Sequence, residues 1–198
     1  MTKLSPSFNT TLQQVESCTL CQEQLPMGAR PVVQMHPKAK ILIAGQAPGV
    51  KVHQTGIPFN DASGDRLRSW MGLDKTTFYD AQQIAILPMG FCYPGTGQSG
   101  DLPPRKECAE QWRTPLLKLL TQCQLTLLIG QYAINWHLKT SKQCTLTETV
   151  KNWERYGPQN MPLPHPSPRN NIWLKKNEWF EETVLPELKA RVQAILRH

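Results

Sequence analysis

The chain has no long apolar run, and this absence limits what it can be. None of its 198 residues belongs to a stretch of about 18 consecutive apolar residues, which a transmembrane helix would need. It also has no block of like charges, and no internal repeat or low-complexity segment, which excludes a repeat architecture. The amino-terminal MTKLSPSFNT lacks the charged-then-apolar pattern of a secretion signal. We therefore expect a soluble, cytoplasmic protein without a membrane partner.

The composition that is present favours one folded domain. A chain of this length supports one sizeable core, and 39% hydrophobic residues with 8% aromatics are typical of a folded protein. The net charge of +7 is a mild indication of a polyanionic partner, although a solvated basic surface would carry the same charge. We expect a single domain over residues 1–198.

Four short apolar runs predict buried parallel strands. Their lengths fit strands that are covered on both faces, and prolines interrupt the last of them. They lie at residues 40–45, 84–89, 125–130 and 161–167. Because ligands bind beyond the carboxyl ends of such strands, the loops that follow them are expected to meet at one edge of the sheet.

Segments of helical period separate or follow these runs. They lie at residues 64–73, 105–123, 131–139 and about 177–198. Pro186 is expected to kink or split the last of these helices, because proline interrupts helical hydrogen bonding. The alternation of strand and helix predicts a three-layer α/β/α fold with a central four-stranded parallel sheet.

The six cysteines indicate metal binding or buried thiols, since a disulfide framework is rare in a chain without a secretion signal. Four of them suit a metal site: two form a C-x2-C knuckle, and two bracket a long loop rich in glycine and proline. These four are Cys18, Cys21, Cys92 and Cys108. Spacing alone does not choose between zinc and a [4Fe–4S] cluster. Cys123 and Cys144 are expected to be inert core thiols.

Three motifs stand at or near the ends of predicted strands. GQAPG follows the first strand, QTGIPF comes a few residues later, and HPSPRN follows the last strand. In this order they resemble the uracil-DNA glycosylase superfamily, over about residues 18–170. The order of the cysteines is similar to that in the iron-sulfur class of that superfamily. The sequences of the second and third motifs, in contrast, resemble those of the single-strand-selective monofunctional class. We therefore expect a divergent member of the iron-sulfur class.

The resemblance implies hydrolytic removal of uracil, or a related deaminated base, from DNA without strand cleavage. Such an enzyme flips the base out of the duplex and stabilises it as it leaves with negative charge. The family's motifs assign His165 to the leaving base and Phe59 to stacking under it. They assign Gln46 and Ala47, with their backbone, to placing the water and the base.

Further residues receive expected roles from the same resemblance. Gly45 and Gly49 belong to the floor of the base pocket. The loop after the histidine is expected to press on DNA phosphates, through Pro166, Ser167, Pro168, Arg169 and Asn170. The four cysteines of the candidate metal site are expected to hold a [4Fe–4S] cluster, with zinc as the alternative. DNA is the expected partner, and a monomer is the expected state.

Two positions depart from the family's pattern. Relatives carry a water-positioning acid or amide in the first motif, but Gln46 and Ala47 supply no carboxylate, and Asp61 and His53 are the nearest substitutes. The iron-sulfur class reads the uracil edge with an asparagine where this chain has Pro88, which offers neither a side-chain amide nor an N–H. These departures favour a second hypothesis, a DNA-binding or damage-sensing module of the same fold without turnover. A zinc-stapled nucleotide hydrolase is a weaker third hypothesis, because no Walker-type or paired-carboxylate site is visible.

Overall fold

Four parallel strands form the central sheet of the protein, whose computed structural model describes residues 6–98, 100–139 and 144–197. In chain order the strands among these residues are β1 Ile41–Ala44, β2 Ile84–Ile86, β3 Thr96–Gly97, β4 Gly100–Asp101, β5 Leu125–Ile129 and β6 Asn160–Leu163. The central sheet has the order β2-β1-β5-β6, and all its pairs are parallel. The remaining two strands, β3 and β4, form a short antiparallel hairpin.

Helices cover both faces of this sheet. They are α1 Pro6–Glu16, α2 Val50–Thr55, α3 Ala62–Met71, α4 Lys75–Phe78, α5 Lys106–Leu119, α6 Gln131–Leu138, α7 Leu146–Lys151, α8 Asn171–Lys176 and α9 Leu185–Leu196. Short 3-10 turns and one π-helical turn, Phe180–Val184, complete the described elements. None of the described helices is both long and apolar enough to cross a membrane.

The alternation of side chains along the strands explains the three layers. Ile41 and Ile43 on β1 pack into one hydrophobic cluster together with α3 and α9. Leu42, between them, points to the opposite face and packs with α1 and α5. β2 repeats this pattern, because successive residues of a strand point to opposite faces. The predicted α/β/α fold with its four-stranded parallel sheet is therefore confirmed.

Two expectations about the chain's periphery have different outcomes. Pro186 separates two helical pieces as predicted, since it occupies the first turn of α9, where its missing N–H costs nothing. The prediction that Cys144 is a core thiol is wrong, because its side chain is exposed just before Thr145, which caps α7. Cys123 is partly buried and packs against the cluster of α1 and α5, in agreement with the prediction.

Candidate active site

A cleft of about 610 Å³ opens beyond the carboxyl ends of β1, β2 and β6. It collects most of the residues that the sequence assigns to base and DNA contacts. Its lining includes Gly45, Gln46, Ala47, Gly49, Phe59, Asp61, Pro88, Asp101, His165, Ser167, Pro168, Arg169 and Asn170. The parallel sheet brings these distant segments together, because the loops after its strands share one edge.

His165 enters this cleft from the loop after β6 as a neutral imidazole with a defined tautomer. The backbone N–H of Ser167 donates to its Nδ1 at 3.2 Å. Since that nitrogen accepts a hydrogen bond, the ring proton resides on Nε2, which is the donor that His165 offers. Burial lowers the pKa of His165 below its ordinary value, although the carboxylates of Asp61 and Asp101 oppose the shift. The side chain is therefore uncharged at neutral pH.

Two aspartates and one glutamine stand in the same cleft. Asp61 caps α3, where its Oδ1 accepts the backbone N–H of Gly64 at 2.9 Å. Asp101 lies at the end of the β3–β4 hairpin. Gln46 donates its side-chain N–H to the Leu102 carbonyl at 3.1 Å, so its amide ties the loop after β1 to the segment after the hairpin. The cleft thus contains two carboxylates, although the first sequence motif, GQAPG, supplies none.

Phe59 has an unusual backbone conformation, which neighbouring side chains hold in place. Its φ of 53° lies in the left-handed region, which non-glycine residues rarely adopt. Arg68 and the Tyr79 hydroxyl both donate to its carbonyl oxygen, each at 3.4 Å. Arg68 is 5% exposed and also lies over the Phe78 ring, which meets Phe59 edge to face. This packing fixes the direction of the Phe59 ring.

The loop after β6 is anchored to α3 and to itself. Arg66 donates to the Ser167 carbonyl at 3.1 Å and to the Asn171 side chain at 2.7 Å. Asn170 donates its side-chain amide to the His165 carbonyl at 2.7 Å. These contacts hold the imidazole while Arg169 remains exposed at the rim of the cleft.

The structure does not bring two of the predicted site residues to the cleft lining. His53 is buried in α2, where its ring faces Tyr93 at a centroid distance of 6.1 Å. Burial lowers its pKa, and the charge of Arg30 adds to that effect. Pro166 is buried beneath the loop between His165 and Ser167, which do line the cleft.

A buried arginine supports the wall of the cleft at Pro88. Arg113 on α5 is 1% exposed and donates to the carbonyls of Leu87 and Pro88 at 2.8 and 3.0 Å. Its second terminal nitrogen contacts Nε2 of His137 at 2.6 Å. Burial, together with this arginine, lowers the pKa of His137 to about 3. His137 is therefore a neutral acceptor for Arg113.

This pair predicts a loss of stability in mild acid. The unfolded chain binds a proton at His137 near its ordinary pKa of 6.5, whereas the folded chain does so only near 3. The contribution of His137 to the free energy of unfolding is thus complete above pH 6.5 and falls by up to about 1.4 kcal/mol per pH unit below it. Urea unfolding of the wild type and of His137→Gln, from pH 7 to pH 5, measures the difference. Equal pH slopes for both proteins would contradict the prediction.

The four cysteines of the candidate metal site all line a second cavity, which is mostly apolar. It lies between the amino-terminal knuckle, the chain after β2 and the start of α5, and Trp112 and Arg105 share the lining. Among the described residues, no group of three or more His, Cys, Asp or Glu side chains is placed to hold one metal ion. The cysteines are therefore neighbours around a shared space rather than ligands gathered at one point.

Hydrogen-bond donors point at the sulfur atoms of this cavity. The indole N–H of Trp112 lies 3.3 Å from Cys18 Sγ, and the backbone N–H of Phe91 lies 3.4 Å from Cys108 Sγ. Nε of Arg105 is buried without a partner in the described part of the chain. Burial raises the pKa of Cys92 to about 11 and that of Cys108 to about 12. An anionic group in the cavity would satisfy donors that now face neutral thiols.

Sequence reasoning missed three residues that shape the cleft. Asp101 lies in the loop between the last two candidate metal ligands, and no motif marks it. Arg68 and Arg113 look like ordinary charged residues of amphipathic helices, yet both are buried. Their positions within otherwise apolar helix faces were the available signal, but the partners of Arg113 lie far along the chain.

A protein-family model described as the uracil DNA glycosylase superfamily matches residues 33–189 of the chain. The matched range begins before β1 and ends within α9, so it contains the whole cleft. It also includes Cys92 and Cys108, whereas the knuckle of Cys18 and Cys21 precedes it.

Proposed function

Because the chain belongs to the uracil DNA glycosylase superfamily, we propose that it hydrolyses the N-glycosidic bond of uracil, or of a related deaminated base, in DNA. One observation carries the proposal: His165, Phe59 and Asp61 line a single cleft at the carboxyl edge of the sheet. The cleft supplies a stacking surface for the flipped base, a neutral donor for the leaving base and a carboxylate that is able to position water.

The flipped base stacks on Phe59 above the glycines of the loop after β1. The cleft volume of about 610 Å³ lies within the range of ordinary ligand pockets and accommodates one nucleotide. The Phe59 ring lies close to Gly45, because a Cβ placed on Gly45 would be 3.5 Å from the ring. The Phe59 ring and Gly45 therefore lie in contact, and the base binds where they meet.

His165 stabilises the base as it departs. Negative charge develops on a carbonyl oxygen of the base as the bond to the sugar breaks, and Nε2–H of His165 donates to that oxygen. A fixed donor in a partly buried site is worth more than the same donor in water, because it needs no reorganisation during the reaction. Its lowered pKa keeps it a neutral donor, so it does not protonate the base outright.

Asp61 positions the attacking water. The hydrogen bond from the Gly64 N–H to Oδ1 fixes the direction of the carboxylate at the start of α3. The second carboxylate oxygen accepts from water on the sugar side, and its negative charge stabilises the oxocarbenium-like sugar. Gln46 orients the same water less strongly, because its amide is already tied to Leu102.

DNA contacts surround the mouth of the cleft. Arg169 and Lys51 line it and are able to contact phosphates, while the loop from Ser167 to Asn170 sets the distance of the backbone. The net charge of +7 attracts the polyanion over a longer range. Binding is therefore expected to weaken as salt is added.

The cysteine cavity is proposed to hold a [4Fe–4S] cluster. The proposal is supported by the four cysteines that line one cavity, the N–H donors at Cys18 and Cys108, and the Nε of Arg105, which is buried without a partner among the described residues. A cluster takes one thiolate at each iron, whereas zinc needs four thiolates around one ion. In this role the cluster supplies structure, because it joins the amino-terminal knuckle to α5.

Removal of one cysteine ligand is expected to abolish binding of the cluster. Cys108→Ser should lose most of its bound iron and its visible absorption when purified without oxygen, because the buried hydroxyl is a poor ligand for iron. Cys123→Ser is the matched control, since Cys123 packs outside the cavity and should keep both signals. Metal analysis and absorption spectra measure the outcome. Zinc without visible absorption in the wild type would reject the cluster in favour of zinc.

A panel of oligonucleotides tests the proposed activity. Single- and double-stranded oligonucleotides that contain uracil, hypoxanthine or xanthine are incubated with the protein and then treated with alkali. Cleavage at the modified position reports an abasic product and supports the enzyme. Tight binding without an abasic product supports instead the damage-sensing module, which Ala47 and Gln46 favour because they supply no carboxylate in the first motif.

A further inference from the structure

Asp101 places a carboxylate over the loop whose own sequence lacks one. It ends the β3–β4 hairpin and lines the cleft together with His165. Its Oδ2 lies 3.5 Å from the point that a Cβ on Gly49 would occupy. In the described part of the chain the only hydrogen bond to the Asp101 carboxylate is a long one, from the Thr96 hydroxyl to Oδ1 at 3.5 Å. Asp101 is therefore able to accept from a ligand in the cleft.

The hairpin that carries Asp101 is held on both sides. The Leu102 N–H donates to the Gly95 carbonyl at 2.8 Å, and the Leu102 carbonyl accepts from Gln46. Arg169 packs against Gly100, since a Cβ added there would be 2.6 Å from the guanidinium. The carboxylate is thus presented by a braced segment rather than by a free loop.

Pro88 makes this carboxylate important for base selection. Pro88 lines the same cleft, and proline has no side-chain donor or acceptor and no N–H. A polar group from another segment must therefore read the hydrogen-bonding edge of the base. A carboxylate accepts hydrogen bonds and donates none when ionised, so it selects bases that present an N–H.

Deamination creates the feature that an acceptor-only group detects. Cytosine and adenine present an unprotonated ring nitrogen between their edge substituents. Uracil and hypoxanthine present an N–H at that position, because the amine has been replaced by a carbonyl and the ring has become a lactam. A carboxylate facing this atom attracts the lactam and repels the lone pair of the parent base.

We propose that Asp101 accepts the lactam N–H of the flipped base and thereby discriminates uracil from cytosine and hypoxanthine from adenine. The proposal rests on the proposed function, since it concerns the same cleft. The cleft volume of about 610 Å³ leaves space for a purine as well as a pyrimidine. The class of ligand is therefore the deaminated bases uracil and hypoxanthine, and not uracil alone.

Binding measurements test this role without requiring turnover. The probes are oligonucleotides in which one residue is 2′-fluoro-2′-deoxyuridine or 2′-fluoro-2′-deoxycytidine, since the fluorine destabilises the oxocarbenium-like sugar and prevents hydrolysis. The wild type is expected to bind the uracil probe about tenfold more tightly than the cytosine probe. Asp101→Asn is expected to bring this ratio close to one, because an amide is able to turn its N–H₂ toward cytosine. Hypoxanthine and adenine probes are expected to behave in the same way.

Controls separate this inference from the proposed function and from misfolding. Glu182→Gln removes an exposed carboxylate outside the cleft lining and should keep the wild-type ratio. Asp101→Ala, checked by thermal unfolding, should lose the preference, because it removes both the attraction of the lactam N–H and the repulsion of the cytosine lone pair. A wild type that discriminates but releases no base would reject the proposed function, and loss of that discrimination in Asp101→Asn would still support the role of Asp101. Unchanged discrimination in Asp101→Asn and Asp101→Ala would overturn the inference, whether or not the protein excises uracil.

Discussion

His165→Ala is expected to lower the single-turnover rate of base excision by about 10²- to 10³-fold, with only a few-fold change in DNA affinity. The imidazole interacts most strongly with charge that develops on the base during bond cleavage, so its loss falls on the chemical step. The hydrogen bond from Ser167 to Nδ1 assigns the proton to Nε2, and burial keeps the ring neutral. Activity is therefore expected to persist below pH 6.5 and to fall only as the lowered pKa is reached.

Two further variants make this result specific. His165→Gln retains an N–H donor and is expected to recover part of the lost rate. His36→Ala removes an imidazole that lies outside the cleft lining and should leave the rate unchanged. Excision rates measured at saturating protein, together with binding by fluorescence anisotropy, separate chemistry from affinity. Equal losses of rate and of affinity in His165→Ala would reject the assigned role.

Gly64→Ala is expected to reduce excision by about 10²-fold, since small displacements of positioning groups have effects of that size. A Cβ at this position would lie 1.7 Å from the Phe59 carbonyl oxygen, which is far inside contact distance. That carbonyl is held by Arg68 and Tyr79, and Phe59 already has a left-handed backbone. The added methyl group must therefore push the Phe59 segment away from the start of α3.

The same displacement should weaken the cap of the helix. The Gly64 N–H is the donor that holds Asp61, so the substitution disturbs the stacking wall and the water-positioning carboxylate together. Ser69→Ala is the matched control, because it changes an exposed residue of the same helix. Thermal unfolding and excision rates are compared for both variants. Full activity in Gly64→Ala would show that the close approach of Phe59 is not required.

The sequence predicted the fold well because its strands are buried on both faces. A run such as the one that contains Leu42 is apolar throughout, since its neighbours Ile41 and Ile43 pack on the opposite layer. Helix α1 was missed because its polar stretch hides the few residues that contact α5, among them Phe8 and Val15. Cys144 was wrongly predicted to lie in the core, because cysteine is one of the residue types that are most often buried, whereas this one is exposed.

The candidate site was predicted only as far as its motifs extend. Gly45, Phe59 and His165 were found because each follows a strand or stands in a recognisable motif, and the parallel sheet then brings them together. Asp101 and Arg113 were not found, because their functions depend on contacts with segments far along the chain. His53 stands between the first two motifs but is buried against Tyr93, so proximity in sequence did not place it in the cleft.

Release of free uracil is the most direct test of the proposed chemistry. A uracil-containing single strand is incubated with excess wild-type protein, and the free base is separated and quantified over time. We expect stoichiometric release of uracil and an intact strand that contains one abasic residue, because no side chain in the proposed mechanism cleaves the backbone. Retention of the base in a tightly bound strand, with no free uracil at any time, would contradict the assignment of this cleft as a glycosylase active site.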